Sequence, residues 1–296
     1  MIMATKASRF RLRSSAFERP EENMQIEPKK AIFLSVEGDE TERNYFEHLQ
    51  SYIETTKYNS IIHIEVLRHK RGDGYSSPEY VIELLNEYMN IRNGELIPEQ
   101  LPKDFTNMYS PNMVKQYLET PLSFSKSERN KMNGELLKLG IDLEYRRYLQ
   151  LFGHENDYFA VVLDRDCGSH SRKLMEECIK ICKEKDYGCY ISNPCFEFWL
   201  LLHLCNVKTE FADLNKLLEN KKLTNYHTYI SNEVSKRANH GKRISINTFL
   251  TRYLRQIPQA IKNSKDFALD LDEILDHLGS NLSELFLNFG YEETQE

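Results

Sequence analysis

Residues 31–46, AIFLSVEGDETERNYF, decide how the rest of the chain can fold. The first six residues, Ala31–Val36, form an apolar run that is too short for a helix and rich in strand formers, which predicts a buried parallel strand. Gly38 permits a sharp exit from that strand, and the pattern that follows predicts an amphipathic helix over Thr41–Thr55. Glu37 is therefore expected at the carboxyl end of a strand, where open α/β sheets bind their ligands.

A second stretch repeats this arrangement. Tyr158–Leu163 (YFAVVL) predicts another buried strand, a D-x-D motif made of Asp164 and Asp166 follows it, and Ser171–Lys185 has a helical pattern. Because side chains alternate along a strand, the D-x-D spacing predicts that both carboxylates point the same way. If the two strands are neighbours, these aspartates meet Glu37 on one rim of the sheet. Three clustered carboxylates repel one another unless a cation neutralises them, and hard oxygen ligands suit Mg²⁺ or Mn²⁺.

Two other interpretations of these acids stay open on the residues alone. Acids at strand ends are also common as solvated loop residues or as helix caps. The D-x-D motif is also used by haloacid-type phosphate-transfer enzymes, but their nucleophilic Asp follows the first strand. Glu37 occupies that place here, and a Glu is less suited to that role.

A fourth acid lies in a very apolar segment. Phe196–Leu204 (FEFWLLLHL) predicts a buried helix after a short strand at Cys189–Ser192, and it contains Glu197 and His203. A buried acid is costly unless it is paired, although a carboxylate near a helix N-terminus is stabilised. Glu197 is therefore either a further acid of the metal site or a capping residue, and we interpret His203 as a packed histidine.

Three segments together resemble a known family. EGDETERNYF (37–46), VVLDRD (161–166) and SNPCFEFWLLLH (192–203), in this order, are similar to the RloB-like family of bacterial abortive-infection proteins, over roughly residues 8–290. Members of that family carry a TOPRIM-type domain, in which a Glu and a D-x-D motif hold Mg²⁺ for phosphodiester chemistry. The resemblance implies Glu37, Asp164 and Asp166 as metal-site residues, and it favours a catalytic role for Glu197.

The resemblance also implies a function and partners. It predicts a metal-dependent nuclease acting in phage defence, with RNA, above all tRNA, as the favoured substrate and DNA as the alternative. It further implies an ATPase of the OLD or AAA type encoded alongside. The competing hypothesis is a non-catalytic module that docks nucleic acid or such an ATPase. The oligomeric state is left open.

The expected fold class is α/β, with a TOPRIM- or Rossmann-like, mostly parallel sheet and helices on both faces. A further strand is expected at Ile61–Leu67, a loop at Gly94–Asn112 and a last helix at Leu278–Phe289. The expected domain organisation is a flexible basic N-terminal tail at 1–28, an α/β core at 29–205 with a helical insertion at about 92–157, and a helical C-terminal region at 206–296.

Several basic residues are candidates for nucleic-acid contact. The net charge of −6 argues against general affinity for polyanions, so any such contact must come from a local patch. Arg68, Lys70 and Arg71 follow the second predicted strand and are equally compatible with phosphate contact and with an exposed loop. The last third of the chain interleaves Lys and Arg with Tyr, which a nucleic-acid groove would use, but exposed helix faces show the same pattern.

The cysteines and the apolar runs limit where the protein is expected to work. None of the six cysteines forms a C-x-x-C motif, and Cys178 and Cys182, one helical turn apart, are interpreted as packed side chains. The chain shows no signal-peptide pattern and no apolar stretch of about 18 residues that could span a bilayer. We therefore expect a cytoplasmic protein with reduced thiols and no membrane partner.

Overall fold

A computed structural model describes residues 30–38, 40–55, 62–67, 77–92, 98–139, 141, 143, 157–225, 227–239 and 243–289. These residues fall into two compact units. The smaller unit holds 98–139 together with 141 and 143, within the predicted helical insertion. The larger unit holds all other described residues, including the sheet and the C-terminal helices.

The larger unit is built on one five-stranded sheet. Its strands are β1 (Lys30–Val36), β2 (Ile62–Val66), β3 (Tyr158–Asp164), β4 (Gly188–Asn193) and β5 (Gly279–Ser280). The strand order is β2-β1-β3-β4-β5, and only the short β5 is antiparallel to its neighbour. The prediction of an α/β fold with a mostly parallel sheet is therefore confirmed.

The strand order places a switch point between β1 and β3. From β1 the chain passes to β2 on one side, and then to β3 on the other side of β1. In open α/β sheets, the crevice at the carboxyl ends of two such strands is where ligands bind. The pairing of these strands runs to Val36 and Val162, and the Glu37 amide still donates to the Val162 carbonyl oxygen at 3.2 Å.

Helices make up most of the remaining structure. They are α1 (Thr41–Thr55), α2 (Pro78–Arg92), α3 (Lys103–Thr106), α4 (Pro111–Glu119), α5 (Lys126–Lys138), α6 (Arg172–Glu184), α7 (Phe196–Leu204), α8 (Val207–Glu210), α9 (Asn215–Glu219), α10 (Tyr229–Ala238), α11 (Ile246–Thr248), α12 (Ile257–Ser264), α13 (Leu271–Ile274) and α14 (Leu282–Asn288). A π-helical turn at Phe249–Tyr253 and a 3-10 turn at Leu254–Gln256 connect α11 to α12.

Alternation along β1 shows that helices cover both faces of the sheet. Ile32, Leu34 and Val36 belong to the same buried cluster as residues of α1 and α7. On the opposite face, the Ser35 hydroxyl donates to the Val81 carbonyl oxygen of α2 at 2.7 Å. Helices therefore cover the strand on its two faces, as expected for a strand of a parallel sheet.

Helix α7 is the centre of the larger core. Every residue from Phe198 to His203 is buried, which is typical of a helix that is surrounded by other elements. His203 lies 2.9 Å (Nδ1) from the Trp199 carbonyl oxygen and 3.0 Å (Nε2) from the Tyr45 hydroxyl. Because burial lowers its pKa to about 3, this histidine is neutral, and the prediction of a packed histidine is confirmed.

The C-terminal region shares this core with the sheet. Val234 of α10, Ile261 of α12 and Phe286 of α14 are buried in the same cluster as the β1 residues. The predicted helix over Leu278–Phe289 is wrong at its start, because Gly279 and Ser280 form β5 against β4 before α14 begins. A close pairing of the Ser192 and Ser280 hydroxyls, 2.8 Å apart, joins these strands.

The predicted loop at Gly94–Asn112 is wrong within its described part. A 3-10 turn at Pro98–Gln100 and α3 lie in it, and α4 starts at Pro111. Pro111 occupies the first turn of α4, where a missing N–H costs nothing. Pro98 likewise opens its turn, so these prolines start helical segments.

Two expectations about side chains and membranes can be compared with the structure. Cys178 and Cys182 are buried, and burial raises the pKa of Cys178 to about 12, which confirms that they are packed. All six cysteines are free thiols. Across the helices that the structure describes, none joins the length and the apolar character needed to cross a lipid bilayer.

We expect Gly279→Ala to destabilise the protein by about 1–3 kcal/mol, because a methyl group there would overlap the backbone carbonyl of Ala268. Gly134→Ala is the matched control. It lies inside α5 with open space around the added methyl group, so it should stabilise that helix by about 0.5–1 kcal/mol. Urea-unfolding midpoints measure both changes, and an unchanged midpoint for Gly279→Ala would contradict the proposed close approach of the backbones.

Candidate functional site

Two of the predicted acids meet at the switch point. Glu37 follows β1 and Asp164 ends β3, on adjacent parallel strands. A Glu37 carboxylate oxygen, Oε2, accepts a hydrogen bond from the Asp164 backbone amide at 3.0 Å. The side chain of one strand is thus held by the backbone of the next, at the edge where the sequence predicts a metal site.

The Asp164 carboxylate is held by helix α7. Its Oδ1 accepts a hydrogen bond from the Phe196 backbone amide, the first of that helix, at 2.8 Å. The residue that precedes the helix, Cys195, makes no capping hydrogen bond with its side chain. Asp164 therefore acts as a capping carboxylate from another strand, and the positive end of the helix stabilises its charge.

A further acid, Glu42, was not identified from the sequence. It lies in the first turn of α1 and is 6 % exposed. A Cβ atom built on Gly38 would overlap the Glu42 carboxylate, so this carboxylate occupies the space that the glycine leaves open. An acid one turn after the Glu-Gly pair was the available signal, but a first-turn Glu is so common a helix-start residue that it indicated no site.

The acids raise one another's pKa. The pKa of Glu37 is raised to about 8, first by burial and then by the charges of Glu42 and Asp166, against the lowering effect of the Asp164 amide. The pKa of Asp164 is also raised well above its usual range, by burial and then by Glu42, Glu37 and Glu197. Glu37 and Glu197 therefore lie close enough to Asp164 to disfavour its ionisation. Asp166 has the same effect on Glu37.

Glu197 joins this cluster from the first turn of α7. It is partly buried, and its charge is among the causes that raise the pKa of Asp164. It also hydrogen-bonds the Cys195 thiol, whose pKa is raised by burial and then by the charges of Glu197 and Asp164. The structure thus brings Glu197 to the other acids, while the capping contact at this helix comes from Asp164.

Asp166 does not follow the strand alternation that the D-x-D spacing predicted. Strand β3 ends at Asp164, and Asp166 has a φ of 24°, in the left-handed region. Asp and Asn adopt this region more readily than most residues. The Asp166 backbone oxygen then accepts from the Ser169 and His170 amides, which closes a turn. Asp166 is exposed beside the site, and because β3 ends at Asp164, strand alternation does not determine where its carboxylate points.

His170, at the end of that turn, was also missed. Its ring is buried, with Nε2 at 3.5 Å from Glu37 Oε1 and Nδ1 at 3.1 Å from the Asp164 carbonyl oxygen. No spacing rule indicates His170, because the turn at 166–169 brings it back beside the strand end. The turn-forming Cys-Gly-Ser stretch before it was the only local signal.

The middle residue of the D-x-D motif has a structural role. Arg165 is buried, and its Nε donates to the Leu275 carbonyl oxygen at 2.8 Å. Its Nη1 atom donates to the His170 carbonyl oxygen at 2.7 Å. Arg165 therefore fixes the turn that carries His170 against the segment after α13.

The basic residues proposed for nucleic-acid contact divide into two groups. Arg68, Lys70 and Arg71 lie outside the described residues, so their role stays a prediction. In the last third of the chain, Lys221 pairs with Glu219 at 2.8 Å and Lys236 pairs with Glu233 at 2.8 Å. These pairings within the chain reduce the positive charge available to a nucleic acid.

The acids suit a divalent cation in kind. Carboxylate oxygens are the ligands that Mg²⁺ and Mn²⁺ prefer. Burial and neighbouring acids raise the pKa values of Glu37 and Asp164, and the positive charge of a bound cation would favour their ionised forms. The geometry is less complete. Within the part of the chain that the structure describes, no three His, Cys, Asp or Glu side chains surround one point closely enough to hold a metal ion.

Comparison with known protein families gave a match over most of the chain. The model of the family described as RloB-like protein matches residues 32–285, which is most of the chain and includes every acid of the site. Comparison with curated proteins and with solved structures gave no match.

We expect Glu37→Gln to stabilise the cation-free protein increasingly as the pH rises. The folded state holds a proton on Glu37 up to about pH 8, whereas the unfolded chain loses it near 4.5. Stability from this group is therefore present below pH 4.5 and lost as the pH rises through 8, by on the order of a few kcal/mol. Gln keeps the acceptor for the Asp164 amide and removes the charge.

The measurement is the difference in free energy of unfolding between the variant and the wild type, from pH 5 to 8.5 in EDTA. The opposite pH trend of His203 cancels in this difference because both proteins contain it. Glu177→Gln, an exposed acid on α6, is the control and should show no trend. A difference that stays constant with pH would show that Glu37 is not buried among other charges.

Proposed function

Because this chain belongs to the RloB-like family, we propose that it is a divalent-metal-dependent TOPRIM-type nuclease. It would hydrolyse phosphodiester bonds of nucleic acid in bacterial anti-phage abortive infection. The observation that carries the proposal is the hydrogen bond between Glu37 and the Asp164 amide at the switch point. It holds together the two strand ends on which the acids of such a nuclease are expected.

The proposed roles follow the positions of the side chains. Glu37, Asp164 and Asp166 are the residues that would hold Mg²⁺ or Mn²⁺, and Glu197 is a further acid beside them. When bound, such a cation stabilises the negative charge that develops on the phosphate and on the leaving oxygen. Phe196 orients Asp164 through its amide, so that one carboxylate oxygen is engaged and the other is left for a ligand.

Glu37 is also suited to proton transfer. A group exchanges protons most effectively when its pKa lies near the working pH, and without a cation, burial raises the pKa of Glu37 to about 8. Because a bound cation would lower this pKa, the role of general base is the alternative to that of metal ligand. The charges of Glu42 and Asp166 contribute to this value, after burial. Glu42 would therefore tune the acid–base behaviour of Glu37 from its place over Gly38.

The proposed substrate is RNA, with tRNA favoured and DNA as the alternative. Since the net charge is −6, contact with a polyanion would come from a local patch, and Arg68, Lys70 and Arg71 are proposed for it. An ATPase of the OLD or AAA type is the proposed partner. Six free thiols suit a reducing compartment, which supports the proposal of a cytoplasmic location.

A non-catalytic binding module is the second candidate. The observation that favours it is that the described side chains do not close a three-ligand shell around one point. In that case the acidic cluster would dock a basic surface of a partner or a cation-bridged phosphate, and no bond would be cut.

We expect the purified protein to cleave labelled tRNA in Mg²⁺ or Mn²⁺ and to lose at least about a hundredfold in rate on Asp164→Asn. The substitution keeps the acceptor for the Phe196 amide and removes the charge, so the fold should persist. Products are followed by gel electrophoresis and end sequencing, with plasmid DNA as a second substrate.

Asp186→Asn is the matched control, since Asp186 has a φ of 58° that Asn accepts equally well. It should leave cleavage unchanged. Cleavage that survives EDTA, or that Asp164→Asn does not alter, would rule out the metal-site assignment. Absence of cleavage, with and without the ATPase, would favour the binding module.

We also expect Mn²⁺ and Mg²⁺ to raise the unfolding temperature more at pH 8 than at pH 5.5. Protonated carboxyls bind cations poorly, and the pKa values of Glu37 and Asp164 are both raised. Scanning fluorimetry of the wild type and of a Glu37→Gln/Asp164→Asn double variant measures this shift. Equal shifts in both proteins would place cation binding elsewhere.

A further inference from the structure

The ring of His170 is held in one tautomer. Its Nδ1 atom lies 3.1 Å from the Asp164 carbonyl oxygen, and a carbonyl oxygen only accepts hydrogen bonds. Nδ1 therefore carries a proton. In the neutral imidazole this leaves Nε2 with a free lone pair, which is the form in which histidine binds metals.

That lone pair faces a carboxylate oxygen. Nε2 lies 3.5 Å from Glu37 Oε1, and both side chains are about nine-tenths buried. When Glu37 is protonated, its O–H can donate to Nε2; when Glu37 is ionised, two acceptors face each other and a cation can take the place of that proton. Two ligands bound to one cation at ~2.1 Å lie roughly 3.0–3.4 Å apart for octahedral or tetrahedral angles. The observed separation is close to that range.

The hydrogen bond at Nδ1 of His170 is also of the kind that metal-binding histidines make. Histidines that bind metals usually donate their other ring N–H to a carboxylate or a backbone carbonyl, which fixes the ring orientation. Here the carbonyl belongs to Asp164, whose amide donates to Oε2 of the same Glu37. The Arg165 guanidinium fixes the backbone of His170 by donating to its carbonyl oxygen. The ring nitrogen and the carboxylate are therefore positioned by the same short stretch of β3.

We propose that His170 supplies a nitrogen ligand to the divalent cation at Glu37, so that the site selects a first-row transition dication over Mg²⁺. This inference rests on the metal site of the proposed function, and it adds a ligand and a metal preference to it. Imidazole nitrogen suits borderline transition metals, whereas Mg²⁺ retains oxygen ligands and water. Mn²⁺ is the probe, because its electron spin reports directly bound nitrogen.

The experiment is Mn²⁺ binding to the full chain, measured by electron paramagnetic resonance with Mg²⁺ as competitor. Pulsed spectra of the bound Mn²⁺ then test for coupling to an imidazole nitrogen. His170→Asn keeps an amide N–H for the Asp164 carbonyl and removes Nε2, and His170→Gln is a second variant in case the first fails to fold. His277→Asn, at an exposed histidine, is the control.

We expect nitrogen coupling in the wild type and in the control, and its loss in the folded His170 variant. The preference for Mn²⁺ over Mg²⁺ should fall at least about tenfold in that variant. Mn²⁺ binding that depends on Asp164 but shows no nitrogen coupling would overturn the role of His170 and leave the nuclease proposal standing. Absence of any Mn²⁺ binding would overturn both.

Discussion

The hydrogen bond from the Asp164 amide to the Glu37 carboxylate is the contact on which the site depends. It requires β1 and β3 to be parallel neighbours in one register, which their apolar, two-sided sequences favour because helices cover both faces. The backbone of one strand end thereby orients the side chain of the other. The segments that follow β1, β3 and β4 position the other side chains of the site. These are Glu42 after β1, Asp166 and His170 after β3, and Glu197 after β4.

This arrangement concentrates like charges in a buried place, which costs stability. Burial and neighbouring acids raise the pKa of Glu37 to about 8, so the cation-free fold holds a proton there that the unfolded chain does not. A core designed only for stability would replace these acids by neutral side chains. Here the acids are kept in place by two contacts. The Phe196 amide donates to the Asp164 carboxylate, and the buried Arg165 fixes the turn after β3 by donating to the Leu275 carbonyl oxygen. Such opposition between stability and local chemistry is typical of functional sites.

The sequence predicted what depends on local pattern. The four parallel strands and helices α1 and α7 were predicted close to their observed bounds, because apolar runs and capping residues encode them directly. Glu37 and Asp164 could be placed because strand ends meet at a sheet edge. Glu42 and His170 could not, since their positions depend on a space over Gly38 and on a turn closed by Asp166. Strand β5 was missed because two residues carry no period, and only pairing with β4 defines them.

The burial of helix α7 constrains the order in which the acidic cluster can assemble during synthesis. Its first amide holds Asp164, yet the helix is apolar on all sides and needs α10, α12 and α14 to cover it. Those covering helices are synthesised after every acid of the cluster. A nascent chain that has only reached α7 would expose that helix to solvent and could not orient its aspartate. The acidic centre would therefore be completed only after α14 has been synthesised and has packed against α7.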